Sequence, residues 1–317
     1  MSFRPESGPA FRSGFVTLLG RPNTGKSTLL NTLLGAKVSI VSPRPQTTRT
    51  RLQGVLTRET AQIVFVDTPG THKPMSRMNE QMMKAVRVSL EGVDLVLVVV
   101  DASRPLNQED EMAVDLARDF SGPGFLLLNK IDLVEKPALL PLIDHFSKRH
   151  AFQEFIPVSA LRKENCTLLE RKIIECLPEG PPLFPPDTLT DQPTRFLAAE
   201  IIREKVLYHT RQEVPYATAV VVEKFEEPEA WSPPPGAKGR EARPLVRIHA
   251  TILVEQPGQK GIVIGAGGER LKKIGEAARR ELEFLLDARV YLELFVKERR
   301  DWRQQAGVER LIDWRHS

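Results

Sequence analysis

The chain of 317 residues is poor in cysteine, tryptophan and tyrosine, and it contains no long apolar run. Its two cysteines, Cys166 and Cys176, fit neither a CxxC motif nor a zinc-binding spacing, which excludes a disulfide scaffold and favours a reducing compartment. The longest unbroken apolar run is residues 95–100, whereas a membrane-spanning helix needs about 20 apolar residues. Residues 1–15 contain no apolar core of a secretory signal, so we expect a cytoplasmic protein.

An excess of charge of one sign is also missing. There are 45 Lys and Arg residues against 41 Asp and Glu residues, which leaves a net charge of +4. Residues 1–177 contain 23 basic and 19 acidic residues, and the rest of the chain contains 22 of each. Binding of nucleic acid by the second part must therefore depend on where its basic side chains lie and not on its net charge. Length and composition are those of about two globular domains.

Residues 1–177 alternate short apolar runs with helical patterns. The runs are rich in Val, Leu and Phe, as in strands buried on both faces of a parallel sheet, and they lie at 15–19, 63–66, 95–100 and 125–128. The helical patterns lie at 26–34, 78–90, 108–120 and 137–150. This alternation predicts right-handed βαβ units and an α/β domain with a doubly wound, mostly parallel sheet.

A composition change marks a second domain. Residues 178–193 contain six prolines in sixteen positions, which predicts an extended linker between domains, with a loop inside one domain as the alternative. Residues 194–317 then show the order helix, strand, strand, helix, glycine-rich turn, helix and strand, which predicts a smaller α+β domain with a C-terminal extension. The sequence of residues 226–244, between the first two strands of this domain, predicts an exposed loop. The second strand places one apolar face at Val246, Ile248, Ala250, Ile252 and Val254.

Residues 20–27, with the sequence GRPNTGKS, match the pattern GxxxxGK[ST] between a predicted strand and a predicted helix. The glycines allow backbone N–H groups to face phosphate oxygens at the start of a helix. Lys26 can reach the β- and γ-phosphates, and the Ser27 hydroxyl can ligate Mg²⁺. The predicted phosphate-binding residues are Gly20, Asn23, Thr24, Gly25, Lys26, Ser27, Thr28 and Gly70.

Three more segments follow strand-like runs, where loops of such a sheet build a ligand site. In residues 67–70, DTPG, the carboxylate suits a water-mediated Mg²⁺ contact and the glycine N–H suits the γ-phosphate. In residues 129–132, NKID, a carboxylate can accept from guanine N1–H and from its 2-amino group, a donor pair that adenine lacks. Residues 159–160, SA, bring a backbone N–H near guanine O6. The predicted guanine-binding residues are Asn129, Lys130, Asp132, Ser159 and Ala160.

These motifs resemble those of the translation-factor class of GTPases and, more narrowly, of the bacterial Era family. The resemblance is carried by GRPNTGKSTLLNTLLG, by PQTTR at 45–49, and by DTPG, NKID and SA, and it covers nearly the whole chain. It implies hydrolysis of GTP to GDP and phosphate with Mg²⁺ as cofactor. Residues 39–50 are polar, contain two prolines and look like a first switch loop. The resemblance implies that Thr48 of this loop joins Ser27 and Asp67 at the Mg²⁺. The alternatives are that Thr47 takes this role, or that the segment is an ordinary solvated loop.

No catalytic side-chain base is identified. Residue 71, directly after DTPG, is Thr instead of the Gln that orients water in Ras-type enzymes, and the resembling family has a hydrophobic residue there. We therefore expect slow intrinsic hydrolysis. His72 is interpreted as a solvated residue of a second switch that follows DTPG, with a catalytic base as the alternative. Because similar GTPases without the Gln use an Asn of the phosphate loop to hold K⁺, we expect K⁺ near Asn23.

Residues 265–268, GAGG, form a G-x-x-G turn between two helical patterns. In K-homology (KH) modules such a turn lets the nucleic-acid backbone approach closely. The segment does not match the dinucleotide-binding fingerprint G-x-G-x-x-G, because residue 270 is Arg where that pattern has its last glycine. A plain glycine-rich loop is the remaining alternative. The order of elements resembles a type II KH domain, and residues 260–273 contain four basic residues and one acidic residue. The predicted RNA-binding residues are Lys260, Ile264, Gly265, Ala266, Gly267, Gly268, Lys272 and Lys273.

The resemblance also implies the partner and the process. It indicates small-subunit ribosomal RNA near its 3′ end, the small ribosomal subunit and its maturation, no DNA, and a monomer in the cytoplasm, with peripheral contact at the inner face of the cell membrane left open. Two other classes of function stay open on the residues alone. One is a passive RNA-binding assembly protein that keeps its nucleotide without turnover. The other is an ATP-driven enzyme, which rests on the phosphate loop only.

Overall fold

The computed structural model describes residues 10–72, 76–211, 214–228, 231–233, 239–305 and 307–316. The chain forms two compact units. The first unit consists of Met1–Val41, Thr48–Met75 and Asn79–Asp191. The second consists of Ser42–Thr47, Ser76–Met78 and Gln192–Ser317.

The first unit is built on a six-stranded sheet. Its strands are β1 (Arg12–Leu19), β2 (Leu52–Thr57), β3 (Ala61–Asp67), β4 (Leu95–Asp101), β5 (Gly124–Asn129) and β6 (Glu154–Val158). The strand order is β2-β3-β1-β4-β5-β6, and every pairing is parallel except that of β2 with β3. Because β3, β4 and β5 are buried along their whole length, the prediction of strands covered on both faces is confirmed.

Helices pack on both faces of this sheet. They are α1 (Lys26–Leu34), α2 (Arg77–Val88), α3 (Gln108–Arg118), α4 (Leu139–Ser147) and α5 (Cys166–Cys176). One apolar cluster joins the sheet to α1 and α5, and another joins it to α2, α3 and α4. This arrangement is the predicted doubly wound α/β fold, in which loops at the carboxyl ends of the parallel strands form the ligand site.

The proline-rich segment lies against the first unit, which differs from the predicted linker. The backbone N–H of Ser13 donates to the carbonyl of Pro178 at 3.1 Å, and the N–H of Val55 donates to the carbonyl of Leu189 at 2.9 Å. The first unit accordingly continues to Asp191 and does not end at residue 177. Val55 belongs to β2, an edge strand, so the prolines lie in a segment that covers a sheet edge.

The second unit has the element order that the sequence predicts. Its helices and strands are α6 (Thr194–His209), β7 (Ala219–Glu226), β8 (Leu245–Val254), α7 (Pro257–Ile264), α8 (Glu269–Leu285), β9 (Arg289–Glu298) and α9 (Glu309–Ile312). The sheet order is β7-β8-β9, with β8 antiparallel to β7 and parallel to β9. The predicted α+β architecture of a type II KH domain is therefore confirmed.

The core of the second unit lies between its sheet and its helices. All five residues of the predicted apolar face of β8 are buried. On α8 the residues Ile274, Ala278 and Leu282 are buried, whereas Leu285 is 38% exposed, so the buried stripe of this helix ends at Leu282. Of the predicted exposed loop, residues 229–230 and 234–238 lie outside the described residues. Within the described part of the chain, no helix is both long enough and apolar enough to cross a lipid bilayer.

Gln62 of β3 holds the proline-rich segment in place. Its side chain is fully buried, and its Oε1 accepts from the backbone N–H groups of Leu183 and Phe184 at 2.7 and 2.8 Å. Its Nε2 donates to the carbonyl of Phe184 at 2.9 Å and to Oγ1 of Thr57 at 3.0 Å. One amide therefore satisfies two donors and two acceptors of the surrounding chain.

We expect Gln62→Met to lower the free energy of unfolding by about 2–4 kcal/mol, because it removes the four hydrogen bonds that this buried amide makes. Urea denaturation measures this change. Limited proteolysis should show earlier cleavage within residues 178–191. The control is Gln108→Met at an exposed position of α3, which should leave both measurements unchanged. Equal stability of the two variants would contradict the assignment.

Candidate functional site

The loop between β1 and α1 wraps around the side chain of Lys26. Although Lys26 is buried, its Nζ donates to the carbonyls of Gly20 and Arg21 at 2.7 and 3.0 Å. Gly25 has φ 98°, and a Cβ there would lie 2.3 Å from Nδ2 of Asn129. A Cβ on Gly20, at φ 147°, would lie 2.3 Å from the carbonyl oxygen of Val99. Both glycines are therefore required by close backbone approach.

Burial also sets the electrostatics of this loop. Loss of solvent lowers the pKa of Lys26 to about 8, against the opposing effect of nearby carboxylates, of which Asp67 is the strongest. A buried ammonium group whose hydrogen bonds to described residues go to neutral carbonyls is a favourable partner for anionic oxygens. The loop can therefore bind phosphate groups, as the sequence pattern predicts.

A cluster of oxygen atoms surrounds the carboxylate of Asp67 at the end of β3. Its Oδ2 accepts from Oγ of Ser27 at 2.7 Å, from Oγ of Ser39 at 2.9 Å and from Oγ1 of Thr48 at 3.3 Å. The hydroxyls of Ser27 and Thr48 lie 2.9 Å apart. The structure therefore brings together the three residues predicted at the Mg²⁺. Thr47, the alternative, instead donates its hydroxyl to the carbonyl of Arg44 at 2.7 Å.

The chemistry of this cluster fits Mg²⁺. Its donors are hard oxygen atoms, which Mg²⁺ prefers. Burial raises the pKa of Asp67, although Lys26 and the three hydroxyls act to lower it. Oδ1 of Asp67 is buried without a hydrogen bond to any described residue. A cation at this carboxylate would offset the cost of burying that unsatisfied oxygen.

The NKID segment connects the phosphate loop to the loop after β6. Nδ2 of Asn129 donates to the carbonyl of Thr24 at 2.7 Å, and Oδ1 of Asn129 accepts from the backbone N–H of Ala160 at 3.0 Å. Nζ of Lys130 donates to the carbonyl of Asn23 at 2.7 Å. Three predicted sequence segments are thus joined by direct hydrogen bonds.

The residues predicted to contact guanine lie together at the surface end of this network. The carboxylate of Asp132 is exposed, and its Oδ1 accepts from Oγ of Ser159 at 2.5 Å. Ser159 itself is fully buried. Because one oxygen of Asp132 is fixed from the protein side, the carboxylate is oriented while it still has free acceptor capacity for a base.

The first residues of the second switch differ from the sequence interpretation. His72 is only 6% exposed, and its Nδ1 donates to the carbonyl of Gly70 at 2.7 Å, so the interpretation as a solvated histidine is wrong. The adjacent Thr71 is also buried, and its hydroxyl donates to the carbonyl of Glu109 at 3.0 Å. Sequence reasoning failed for His72 because its polar residue type suggested solvent, whereas its Nδ1 is bound to the Gly70 carbonyl and its Nε2 is buried without a hydrogen bond to any described residue.

The G-x-x-G turn of the second unit presents open backbone between α7 and α8. Gly265, Gly267 and Gly268 have φ values of 74°, 57° and 82°, and a Cβ at Gly267 or Gly268 would meet no atom within 4 Å. Ala266 is exposed. A nucleic-acid backbone can therefore approach this turn without steric conflict.

The basic residues around the turn are accessible. Lys260, Lys272 and Lys273 all reach the surface, while Ile264 is half-buried against the core of the unit. The more accessible apolar residue is Ile262 of α7, which is 39% exposed. The sequence prediction missed it, and an apolar residue two positions before Ile264 on a short helix was the available signal.

Two polar residues of the first unit were also missed. Ser39 donates to Asp67, as described above. Asp101, at the end of β4, accepts from Nζ of Lys130 at 2.6 Å and from Oγ of Ser103 at 2.6 Å. Burial alone would raise the pKa of Asp101, but these hydrogen bonds outweigh it and lower the pKa. The signal for Asp101 was its place at the end of a buried strand, as for Asp67 and Asn129.

Known families match both units. Residues 15–130 match the family model described as "50S ribosome-binding GTPase", and residues 236–303 match the model described as "KH domain". A curated relative from Geobacter metallireducens, named GTPase Era, is 49% identical over 292 residues, which cover 92% of this chain and 94% of the relative. A relative of the same name from Syntrophus aciditrophicus is 47% identical over 92% of each chain.

Solved structures agree with these relatives. A crystal structure of Era in complex with MgGDPNP and nucleotides 1506–1542 of 16S ribosomal RNA is 41% identical, with a TM-score of 0.88, and the match covers 96% of this chain and 99% of the other. A point variant of Aquifex aeolicus Era bound to GDP·AlF₄⁻ is also 41% identical, with a TM-score of 0.87 and the same coverage. With this identity over nearly the whole length of both chains, the protein belongs to the GTPase Era family.

Proposed function

We propose that this GTPase uses the site of its first unit to bind and hydrolyse GTP, and the G-x-x-G turn of its second unit to bind small-subunit ribosomal RNA near the 3′ end, in assembly of the small ribosomal subunit. The observation that carries the proposal is the network that joins the phosphate loop to Asn129 and Ala160, in a chain that also exposes a KH turn. The solved relative that holds 16S ribosomal RNA supports the choice of RNA. We expect action in the cytoplasm, while a monomeric state and peripheral membrane contact stay predictions.

The phosphates are assigned to the phosphate loop. Lys26 faces the β- and γ-phosphates in place of the two carbonyls it now contacts, and the backbone N–H groups of Gly25 through Thr28 surround the phosphate oxygens. The N–H of Gly70 faces the γ-phosphate. A Cβ on Gly70 would lie 2.5 Å from the backbone nitrogen of Pro22, so this glycine already lies against the loop.

Mg²⁺ is assigned to Ser27, Thr48 and Asp67. When bound, it neutralises charge on the β- and γ-phosphate oxygens and so polarises the reacting phosphorus. The three protein residues place and orient that charge. Because Thr48 belongs to the PQTTR segment, the same hydroxyl links the metal site to the first switch.

The assignment of guanine to Asp132 predicts a change of base preference. Asp132→Asn should weaken GDP binding at least about a hundredfold, because two charge-assisted hydrogen bonds from guanine are lost. Binding of xanthosine diphosphate should improve, because its O2 accepts from the new amide. Dissociation constants from fluorescent-nucleotide competition measure both, with Asp144→Asn at an exposed position of α4 as the control. Unchanged GDP affinity would remove Asp132 from the site.

The expectation of K⁺ near Asn23 predicts a cation dependence. Turnover of GTP should be at least about tenfold faster in potassium than in sodium buffer at equal ionic strength, because a fixed cation stabilises charge that develops in the transition state. Asn23→Gly removes the side chain but tolerates φ 66° at this position, and it should abolish the difference. Equal turnover of the unaltered protein in the two buffers excludes the potassium site.

The RNA assignment predicts that Gly267→Asp weakens binding of an RNA with the sequence of nucleotides 1506–1542 at least about tenfold. The added carboxylate blocks backbone approach and repels phosphate. GDP affinity should not change. Gly239→Asp is the matched control, because Gly239 has φ 58° and equally open surroundings. RNA binding that survives the first substitution, measured by filter binding at fixed salt, contradicts the KH assignment.

A further inference from the structure

The first turn of α3 contacts both segments that are assigned to the γ-phosphate end of the nucleotide. The backbone carbonyl of Glu109 accepts from the hydroxyl of Thr71 at 3.0 Å. The next residue, Asp110, places its Oδ1 3.1 Å from Nε of Arg21 in the phosphate loop. Two consecutive residues of one helix therefore hold two segments that are distant in sequence.

On the side of the phosphate loop, the contact is a buried ion pair. The side chain of Asp110 is fully buried, and that of Arg21 is 10% exposed. Burial raises the pKa of Asp110, and the neighbouring Arg21 guanidinium is among the groups that oppose this. The carbonyl of Arg21 in turn accepts from Nζ of Lys26 at 3.0 Å and from Oγ1 of Thr24 at 3.1 Å. Asp110 is thus paired electrostatically with the residue whose carbonyl accepts from Lys26.

On the side of the switch, Thr71 is held at two points. Its hydroxyl is bound by α3, and its backbone N–H donates to the carbonyl of Gly20 at 3.1 Å. The preceding Gly70 has its carbonyl bound by His72. The peptide that follows Gly70 is therefore fixed on both sides, which restricts the direction of the Gly70 N–H.

The first turn of α3 itself is rigid. The side chain of Asn107 accepts from the backbone N–H groups of Glu109 and Asp110, and Oδ2 of Asp110 accepts from the N–H of Asn107. This reciprocal capping fixes the carbonyl of Glu109 and the carboxylate of Asp110 in one unit.

We propose that the first turn of α3 is a positioning site for GTP recognition, in which Thr71 anchors the Gly70 N–H for the γ-phosphate and Asp110 anchors the phosphate loop through Arg21. Thr71 occupies the place of the glutamine of Ras-type enzymes but acts as a positioning residue, because its hydroxyl is engaged by the Glu109 carbonyl. This inference rests on the proposed contact between Gly70 and the γ-phosphate.

The two anchors have different expected signatures. GDP lacks the γ-phosphate, so loss of the Thr71 anchor should weaken binding of GTP and not of GDP. Loss of the Asp110 anchor disturbs the loop that holds Lys26 and should weaken both nucleotides. A residue that only supports folding would not separate the two nucleotides in this way.

The test of the switch anchor compares Thr71→Val with Thr71→Ser in the full chain. Valine keeps the shape but loses the hydroxyl, and it should weaken binding of the non-hydrolysable analogue GDPNP about fivefold while GDP affinity stays within about twofold. Serine should restore GDPNP affinity. Equal loss for both nucleotides, or no loss for either, overturns the role of Thr71. Thr71→Ala, which relieves any crowding, serves as the second variant should valine fail to fold.

The test of the loop anchor is a double-mutant cycle between Arg21→Met and Asp110→Asn, followed by GDP and GDPNP affinity. Each single change should weaken both nucleotides to a similar extent, because it leaves one buried charge unpaired. The double variant should bind better than the product of the single effects predicts. Strict additivity overturns the coupling.

The variant Lys26→Ala distinguishes two reasons why the tests could fail: a wrong role for α3, or a wrong assignment of the phosphates to this site. It should abolish binding of GDP and GDPNP whether or not α3 positions the site. If Lys26→Ala binds both normally, the phosphate assignment itself is wrong. If it abolishes binding while Thr71→Val and the cycle show no effect, only the inference about α3 fails.

Discussion

The whole nucleotide site depends on the side-chain amide of Asn129. It donates to the phosphate loop at Thr24 and accepts from the loop after β6 at Ala160, so one planar group sets the distance between the segment assigned to phosphate and the segment assigned to the base. A Cβ at Gly25 would lie 2.3 Å from that amide, which explains why a glycine precedes Lys26. Since β5 is buried along its length and ends at Asn129, the rigid sheet fixes the position of the amide. The position of Asn129 therefore links the packing of the sheet to the local geometry of the phosphate loop.

Charge burial explains why the site needs ligands to be complete. Lys26 and Asp67 are both buried, and burial disfavours the charged form of each. The protein offsets part of this cost with carbonyls around Lys26 and hydroxyls around Asp67. In the proposed function, triphosphate and Mg²⁺ would supply the remaining countercharges. Because the Thr48 hydroxyl donates to Asp67, a metal ion bound at Asp67 would be coupled to the position of the segment that contains Thr48. This coupling would act through a direct contact between two side chains and would need no change transmitted across the domain.

Much of this could be predicted from the sequence because the signals were local. Strands buried on both faces appear as continuous apolar runs, and the phosphate loop, NKID and the G-x-x-G turn have fixed spacing. Strand β2 was not predicted, since Leu52–Thr57 lacks such a run and pairs only at the sheet edge. The proline-rich segment was interpreted as a linker because prolines prevent helix, yet it is bound to the edge by contacts such as those of Gln62, which connect residues about 120 positions apart. The prediction that His72 is solvated was wrong for a similar reason, since the burial of this residue depends on contacts made by the folded chain.

Residue 71 is a buried threonine where Ras-type enzymes have their catalytic glutamine, and it cannot take over the role of that glutamine. A side chain that orients attacking water must extend toward the reacting phosphate and keep free hydrogen-bonding capacity. The Thr71 side chain is short and fully buried, and its one hydroxyl proton is donated to the carbonyl of Glu109, so it can neither extend toward the reacting phosphate nor donate to an attacking water. Catalysis must therefore come from charge placed around the phosphates and not from a base at this position. Lys26 supplies one such charge from the phosphate loop, and an Mg²⁺ ion held at Ser27, Thr48 and Asp67 would supply another. The chemistry proposed for the site thus follows from where these charges are placed.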